Sequence, residues 1–132
     1  MSIRKMIALH PDVEGHVNQM LGDAAHHLMY CARMCVSCAD ACVAQDGDMT
    51  QCIRTCLDCA DVCEATGKLA VRRAGSNEAV LTEMLELCAR VCDFCASECE
   101  RHEHEHCKLC ALICRECASD CRNAAASITP ES

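Results

Sequence analysis

Four times in 132 residues the chain writes C-x-x-x-C-x-x-C-A-[DS]-x-C, and no other feature limits its fold as tightly. The copies are CARMCVSCADAC (31–42), CIRTCLDCADVC (52–63), CARVCDFCASEC (88–99) and CALICRECASDC (110–121). They hold sixteen of the seventeen cysteines, and Cys107 stands one helical step ahead of the last copy. Within each copy the cysteines advance by four, three and four residues. That is the a/d rhythm of a helix facing the inside of a bundle. Thiols therefore occupy positions where leucine normally sits, and a core built of sulfur is a metal compartment.

The rest of the composition agrees with helices. Tyr30 and Phe94 are the only aromatic residues, and five glycines with two prolines supply too few turns for a many-stranded fold. Ala, Leu, Met, Glu and Arg, all good helix formers, dominate elsewhere. A formal charge of −8 argues against a nucleic-acid partner, because phosphate binding needs a basic surface. No stretch approaches membrane-spanning length, and the start, MSIRKMIALHPDVEG, lacks the long apolar run of a secretory signal. The expectation is a cytoplasmic protein with no membrane partner. Seventeen is odd, so complete pairing into intrachain disulfides is impossible, and in a reducing compartment the thiols persist.

The expected architecture is all-α, an antiparallel four-helix bundle with a cysteine-lined core, in one domain spanning 1–132. The core covers about 23–126, after an N-terminal lead of 1–22 that can include a short helix; residues 1–10 read as its loosely held start. Pro11 can begin a helix whose apolar stripe runs Val13, Val17, Met20, Leu21, Ala24, Leu28 into Cys31, and Gly22-Asp23 is a candidate break. The first long helix is expected to end near Gln45. Gly47 supplies the turn, and Asp48 with Gln51 resembles a capping pair. The second helix runs to about Arg73, Gly75-Ser76-Asn77 marks a stop and an N-cap, and Glu78 suits the first turn of the third. Residues 100–106, ERHEHEH, hold neither glycine nor proline. Symmetry nevertheless places a turn there: copies one and two are offset by 21 residues, copies three and four by 22. The chain reads as one helical hairpin, duplicated.

Each copy spans a sulfur-lined zone roughly 16 Å long at about 1.5 Å per residue. Thiols one step apart on a helix have Cβ atoms about 5–6 Å apart, near enough to clasp one ion. The alanine after each third cysteine (Ala39, Ala60, Ala96, Ala118) lets helices approach. Thiolate selects Cu(I), zinc or iron–sulfur clusters. Tetrathiolate zinc leaves negative charge at every centre, which is costly in a core lacking lysine and arginine. One Cu(I) per thiolate is neutral, so a long column can fill with copper to a stoichiometry near the cysteine count. Zinc knuckles and ferredoxin clusters set their cysteines on loops, and the Cys-Pro of bacterial ferredoxin runs is absent. A lone buried cysteine is usually a small structural hydrophobe. Sixteen in register are not, since Leu or Ala fills a passive core better.

An up-down-up-down path gathers Cys42, Cys52, Cys99 and Cys107 at one end, beside Met49 and His102, His104 and His106. The other end collects Leu28, Leu81, Met84, Leu85, Ala124 and Ile128 as an apolar plug. Imidazole and thioether are soft relay ligands, so the histidine end is the expected mouth. His102 continues the core phase three residues after Cys99, and His104 lies three residues before Cys107, which makes both candidate copper contacts. A solvated polar turn is the plainer account of His106. Met49 is at helical spacing from Cys52, where a methionine is more often core. His10, His16, His26 and His27 gain no site, and Arg33, Arg54 and Arg90 read as a solvated or intersubunit face.

These motifs closely resemble the cytosolic copper storage proteins, the cysteine-rich four-helix-bundle copper binders of bacteria, over roughly residues 12–126. The resemblance implies many Cu(I) ions per chain, a homotetramer, and a His/Met-bearing open end. It implies as ligands Cys31, Cys35, Cys38, Cys42, Cys52, Cys56, Cys59, Cys63, Cys88, Cys92, Cys95, Cys99, Cys110, Cys114, Cys117 and Cys121. Cys107 follows from its helical phase. The first functional reading is a non-enzymatic store sequestering Cu(I) for copper homeostasis. The alternatives are a detoxifying thiol sponge for zinc, cadmium or silver, and an iron–sulfur redox protein.

Overall fold

In the computed structural model the described residues are 2–13, 15, 18–72 and 77–128. They form five helices and, among the described residues, no strand: α1 (Ile3–Ala8), α2 (Gln19–Val43), α3 (Thr50–Val71), α4 (Glu78–Cys99) and α5 (Glu105–Ile128). Each long helix packs on two others: α2 on α3 and α5, α4 on α3 and α5. This is the antiparallel four-helix bundle that the cysteine period predicts. The four alanines that follow the third cysteines are all buried, so the helices do approach along that stripe.

The start of α2 differs from expectation. Pro11 begins no helix; residues 9–13 turn, and Asn18 caps α2 by accepting from the Leu21 N–H. Gly22-Asp23 does not break the helix either. Gly22 is buried within α2, and a Cβ there would lie 2.7 Å from Cγ of Arg4. The glycine is where α1 crosses α2. Arg4 pairs with Asp23, and Ile7 packs against the core, so part of the lead is a docked helix rather than a loose arm. Ser2 caps α1 by accepting from Lys5 N–H.

The first hairpin turn depends on Gly47 at φ 90°, in the left-handed region that glycine adopts without strain. The predicted Asp48–Gln51 pair is only half present. Asp48 accepts from Thr50 N–H at 3.0 Å, whereas Gln51 donates forward to Thr55 at 2.9 Å. Arg73, Gly75, Ser76 and Val17, all used in the sequence reading, lie outside the described residues. Asn77 caps α4 without a side-chain bond to the helix, because its amide donates to Arg72 C=O instead. The turn between α4 and α5 is real: His102 N–H donates to Cys99 C=O, and α5 restarts at Glu105.

Exposed ion pairs fasten the helices laterally. Arg115 of α5 reaches Asp93 of α4 (3.0 Å) and Glu100 just beyond its end (2.6 Å), and Arg33 of α2 reaches Glu64 of α3 (2.9 Å). Exposed pairs contribute about 0–1 kcal/mol each, so they orient more than they stabilise. The bulky apolar ballast sits elsewhere. Leu21, Leu28, Leu81 and Leu85 are fully buried, beside buried Ala124 and Ile128, at the end opposite His102, His104 and His106.

Candidate metal centre

Every one of the seventeen cysteines is buried, and all are free thiols. Their Sγ atoms approach across helices as well as along them. Cys35 and Cys114 are 3.6 Å apart, Cys63 and Cys92 3.6 Å, Cys56 and Cys99 3.7 Å, and Cys63 and Cys88 3.7 Å. The helical period sets the spacing on each strand of the column, and the bundle closes the sets.

Four sets of four sulfurs have all their atoms within 4.8 Å of one another. The deepest is Cys31, Cys59, Cys63 and Cys92; the next is Cys31, Cys35, Cys59 and Cys114. Then come Cys35, Cys95, Cys110 and Cys114, followed by Cys38, Cys56, Cys99 and Cys110. A fifth set, nearest the α2–α3 and α4–α5 turns, joins Cys38, Cys42 and Cys107 to His106. Adjacent sets share members: Cys31 and Cys59, then Cys35 and Cys114, then Cys110, then Cys38. The five sets form one chain through the bundle. Cys88, Cys117 and Cys121 continue the sulfur lining below it, and Cys52 bridges Cys42 (3.8 Å) to Cys99 (3.9 Å).

Crowded thiols cannot all ionise alike. The Cys114 thiol first, then those of Cys38 and Cys56, stabilise the Cys110 thiolate and pull its pKa down. Cys114, which supplies one of those protons to Cys110, is pushed up in return. Towards the α2–α3 and α4–α5 turns, burial pushes Cys42 and Cys52 up, and Cys107 up to about 12. Cys38 goes the other way. Cys110 opposes its ionisation, but Cys56, Cys99 and the His106 ring outweigh that and hold Cys38 down at about 6. Filling the column with metal thus displaces many protons, and of the thiols at this end Cys38 is the one most ready to lose its own.

The three turn histidines separate in space. His106 is not a free turn residue: its Nδ1 lies 3.4 Å from Cys38 Sγ and 3.6 Å from Cys107 Sγ. The available signal was its step of four to Cys110, the same step the cysteines use. His102 instead meets Glu98 at 3.2 Å, and the His104 ring stacks on that of His106 at 5.6 Å. Met49 is buried in the core. At the other end His27 pairs with Asp120, linking α2 to α5. Arg33, Arg54 and Arg90 all face outward.

A four-helix bundle whose interior is a continuous column of thiols belongs to the metal-storing class. The chain is a member of the copper storage protein family, whose pattern matches residues 17–126. Among solved structures it is similar to the copper storage protein Ccsp from Streptomyces lividans loaded with 10 copper equivalents. That match has 38% identity and a TM-score of 0.89, and covers 95% of this chain and 98% of that one. It is also similar to a cytosolic copper storage protein of the same organism carrying five coppers (41% identity, TM-score 0.79, covering 82% and 93%). The curated cysteine-rich protein YhjQ of Bacillus subtilis (strain 168) is 36% identical over 83 residues, 63% of this chain. The matched stretch spans 54% of that relative's length.

Proposed function

We propose that the chain is a non-enzymatic cytosolic store for Cu(I), holding roughly one ion per cysteine within a single domain spanning 1–132. The observation that carries this reading is the chain of sulfur sets joined at shared corners. A shared thiolate can bridge two Cu(I) ions, so ions add along the column while charge stays balanced ion for thiolate. Isolated four-sulfur sites would serve a structural zinc protein equally well; joined sites serve accumulation. The seventeen cysteines form the ligand set, and the His102–His106 turn guards the mouth. His106 offers the imidazole nearest sulfur, with His102 and His104 as outer contacts for arriving copper. The cytosolic assignment follows from the Streptomyces proteins' description and from the need for reduced thiols. Among the described residues no helix is long and apolar enough to cross a membrane. Exposed Val36, Phe94, Leu109 and Leu112 give the outer faces apolar area suited to packing copies together, and a homotetramer is the assembly proposed.

An anaerobic titration of the reduced protein with Cu(I), against a competing chromogenic chelator, tests the reading. Saturation near the cysteine count with helicity retained is the expected result. Saturation at a few ions, or displacement of bound Cu(I) by equimolar zinc, overturns it.

A further inference from the structure

The repeat accounts for sixteen thiols, and the structure gives the seventeenth a separate setting. The four all-sulfur sets draw on the cysteines of the four copies. The fifth set exists only because His106 and Cys107, adjacent residues outside the repeat, close on Cys38 and Cys42. We infer that Cys38, Cys42, Cys107 and His106 form a separate site for one Zn2+ in the copper-free protein. The inference rests on the reading of this end as the mouth but not on the copper count of the column.

Three thiolates and one imidazole are a donor set that closed tetrahedral zinc sites use. The spacing also suits. A tetrahedron with Zn–S about 2.3 Å and Zn–N about 2.0–2.1 Å has S···N edges of about 3.6 Å. Here the Cys38 and Cys107 edges to Nδ1 are 3.4 and 3.6 Å. Charge then separates this set from the other four. Zn2+ on four thiolates leaves two negative charges, whereas replacing one thiolate by neutral imidazole leaves one. It also does so at the solvent end of the column, where His106 is only half-buried. Zinc is therefore least penalised at the mouth, and Cu(I) is favoured in the deep, uniformly soft sets.

The outer shell fits the same role. The Gln45 side-chain amide lies 3.1 Å from His106 Nε2. Amide oxygen and nitrogen exchange places by a simple flip. As placed, the amide donates to Nε2 and leaves Nδ1–H on the Cys38 thiolate in the metal-free pocket; with the amide flipped on metal binding, Nε2–H would donate to Gln45 and the Nδ1 lone pair would be free for the ion. Zinc held there occupies the way in, so Cu(I), the softer ion, must displace it before the column fills.

Anaerobic titration of the reduced full-length chain with Co2+, then with Zn2+ against a chromogenic indicator, tests this. The first Co2+ equivalent is expected to give intense tetrahedral d–d bands and sulfur-to-cobalt charge transfer, removed by one Zn2+. Losing a ligand costs at least the about 10–100-fold that losing an outer-shell partner does, so His106→Ala should weaken the first zinc equivalent a hundredfold. Cys107→Ser should do likewise, and Gln45→Leu should weaken it less. Cu(I) capacity, measured on the same samples, should fall by one ion at most. An unchanged first zinc affinity in both His106→Ala and Cys107→Ser, or wild-type protein with no tighter first equivalent, overturns the site. Either result leaves copper storage standing. A low Cu(I) capacity beside a tight first zinc sinks the storage reading and spares the zinc site.

Discussion

Cys110 Sγ lies 3.9 Å from Cys35 Sγ, and Cys110 is the one thiol common to the set at Cys38 and the set at Cys95. Deeper sets share two sulfurs each; this junction shares one. A copper ion crossing it on shared ligands must be passed through Cys110. The alternative is the contact between Cys56 and Cys95, at 3.8 Å, which belongs to no common set.

Cys110→Ser is therefore expected to slow filling of the inner column far more than it lowers capacity. Cys121→Ser, at the bottom of the sulfur lining, removes one ligand from a place no copper has to cross and should leave the rate alone. Stopped-flow uptake under excess Cu(I), with end-point counting, separates the two. Equal rates in both variants would mean that copper does not travel by shared corners.

Uptake should also follow the ionisation of Cys38. Its folded pKa is depressed to about 6, so the thiolate is present above that value and is lost as pH falls through it. Between about pH 8 and 7 this thiol changes little; below about 6 its thiolate fraction falls roughly tenfold per unit. The initial loading rate is expected to hold and then drop with a midpoint near 6. In Cys38→Ser that inflection should vanish, and what remains should track thiols such as Cys107, which burial holds up at about 12. Rates that fall steadily from pH 8 in the wild type would contradict the role.

The cysteine column was legible in sequence because an intrahelical period needs no knowledge of neighbours: steps of four and three put Cys31, Cys35, Cys38 and Cys42 on one stripe wherever α2 docks. The α4–α5 turn was legible only through the matched 21 and 22 residue offsets, since ERHEHEH contains no residue that demands a turn. What stayed hidden depends on distant parts of the chain. His106 meets a cysteine 68 positions away, and local spacing ranked His102 and His104 above it. The six residues of α1 are too few to hold a helix by propensity, so contacts with Gly22 and Asp23 make the helix.

Gly22 tests that last point. Its hydrogen lets the Arg4 side chain cross α2, and any Cβ would strike Arg4 Cγ at 2.7 Å. Gly22→Leu is expected to expel α1 or strain it by about 1–3 kcal/mol, the usual range for overpacking. Hydrogen exchange at residues 3–8 should rise, with α3 to α5 unaffected. Protection at 3–8 equal to the wild type would show that α1 is held by other contacts.

Removing copper should expose an imbalance in the core. Its fully buried leucines, Leu21, Leu28, Leu81 and Leu85, all lie at one end, while the middle and the histidine end are lined mainly by thiols and alanines, with Met49 and Thr55 beside them. In the metal-free protein the leucine end carries most of the hydrophobic stabilisation, and Leu85→Ala should cost about 2–5 kcal/mol. Copper bound only by the folded state adds stability that grows with ligand concentration over Kd. Loading should then raise the Tm of wild type and Leu85→Ala alike and leave the variant's copper capacity unchanged. Thermal melts of apo and loaded forms check this. A variant that melts with the wild type in the apo form, or that loads fewer ions while folded, would show that the plug and the sulfur column are not separable in this way.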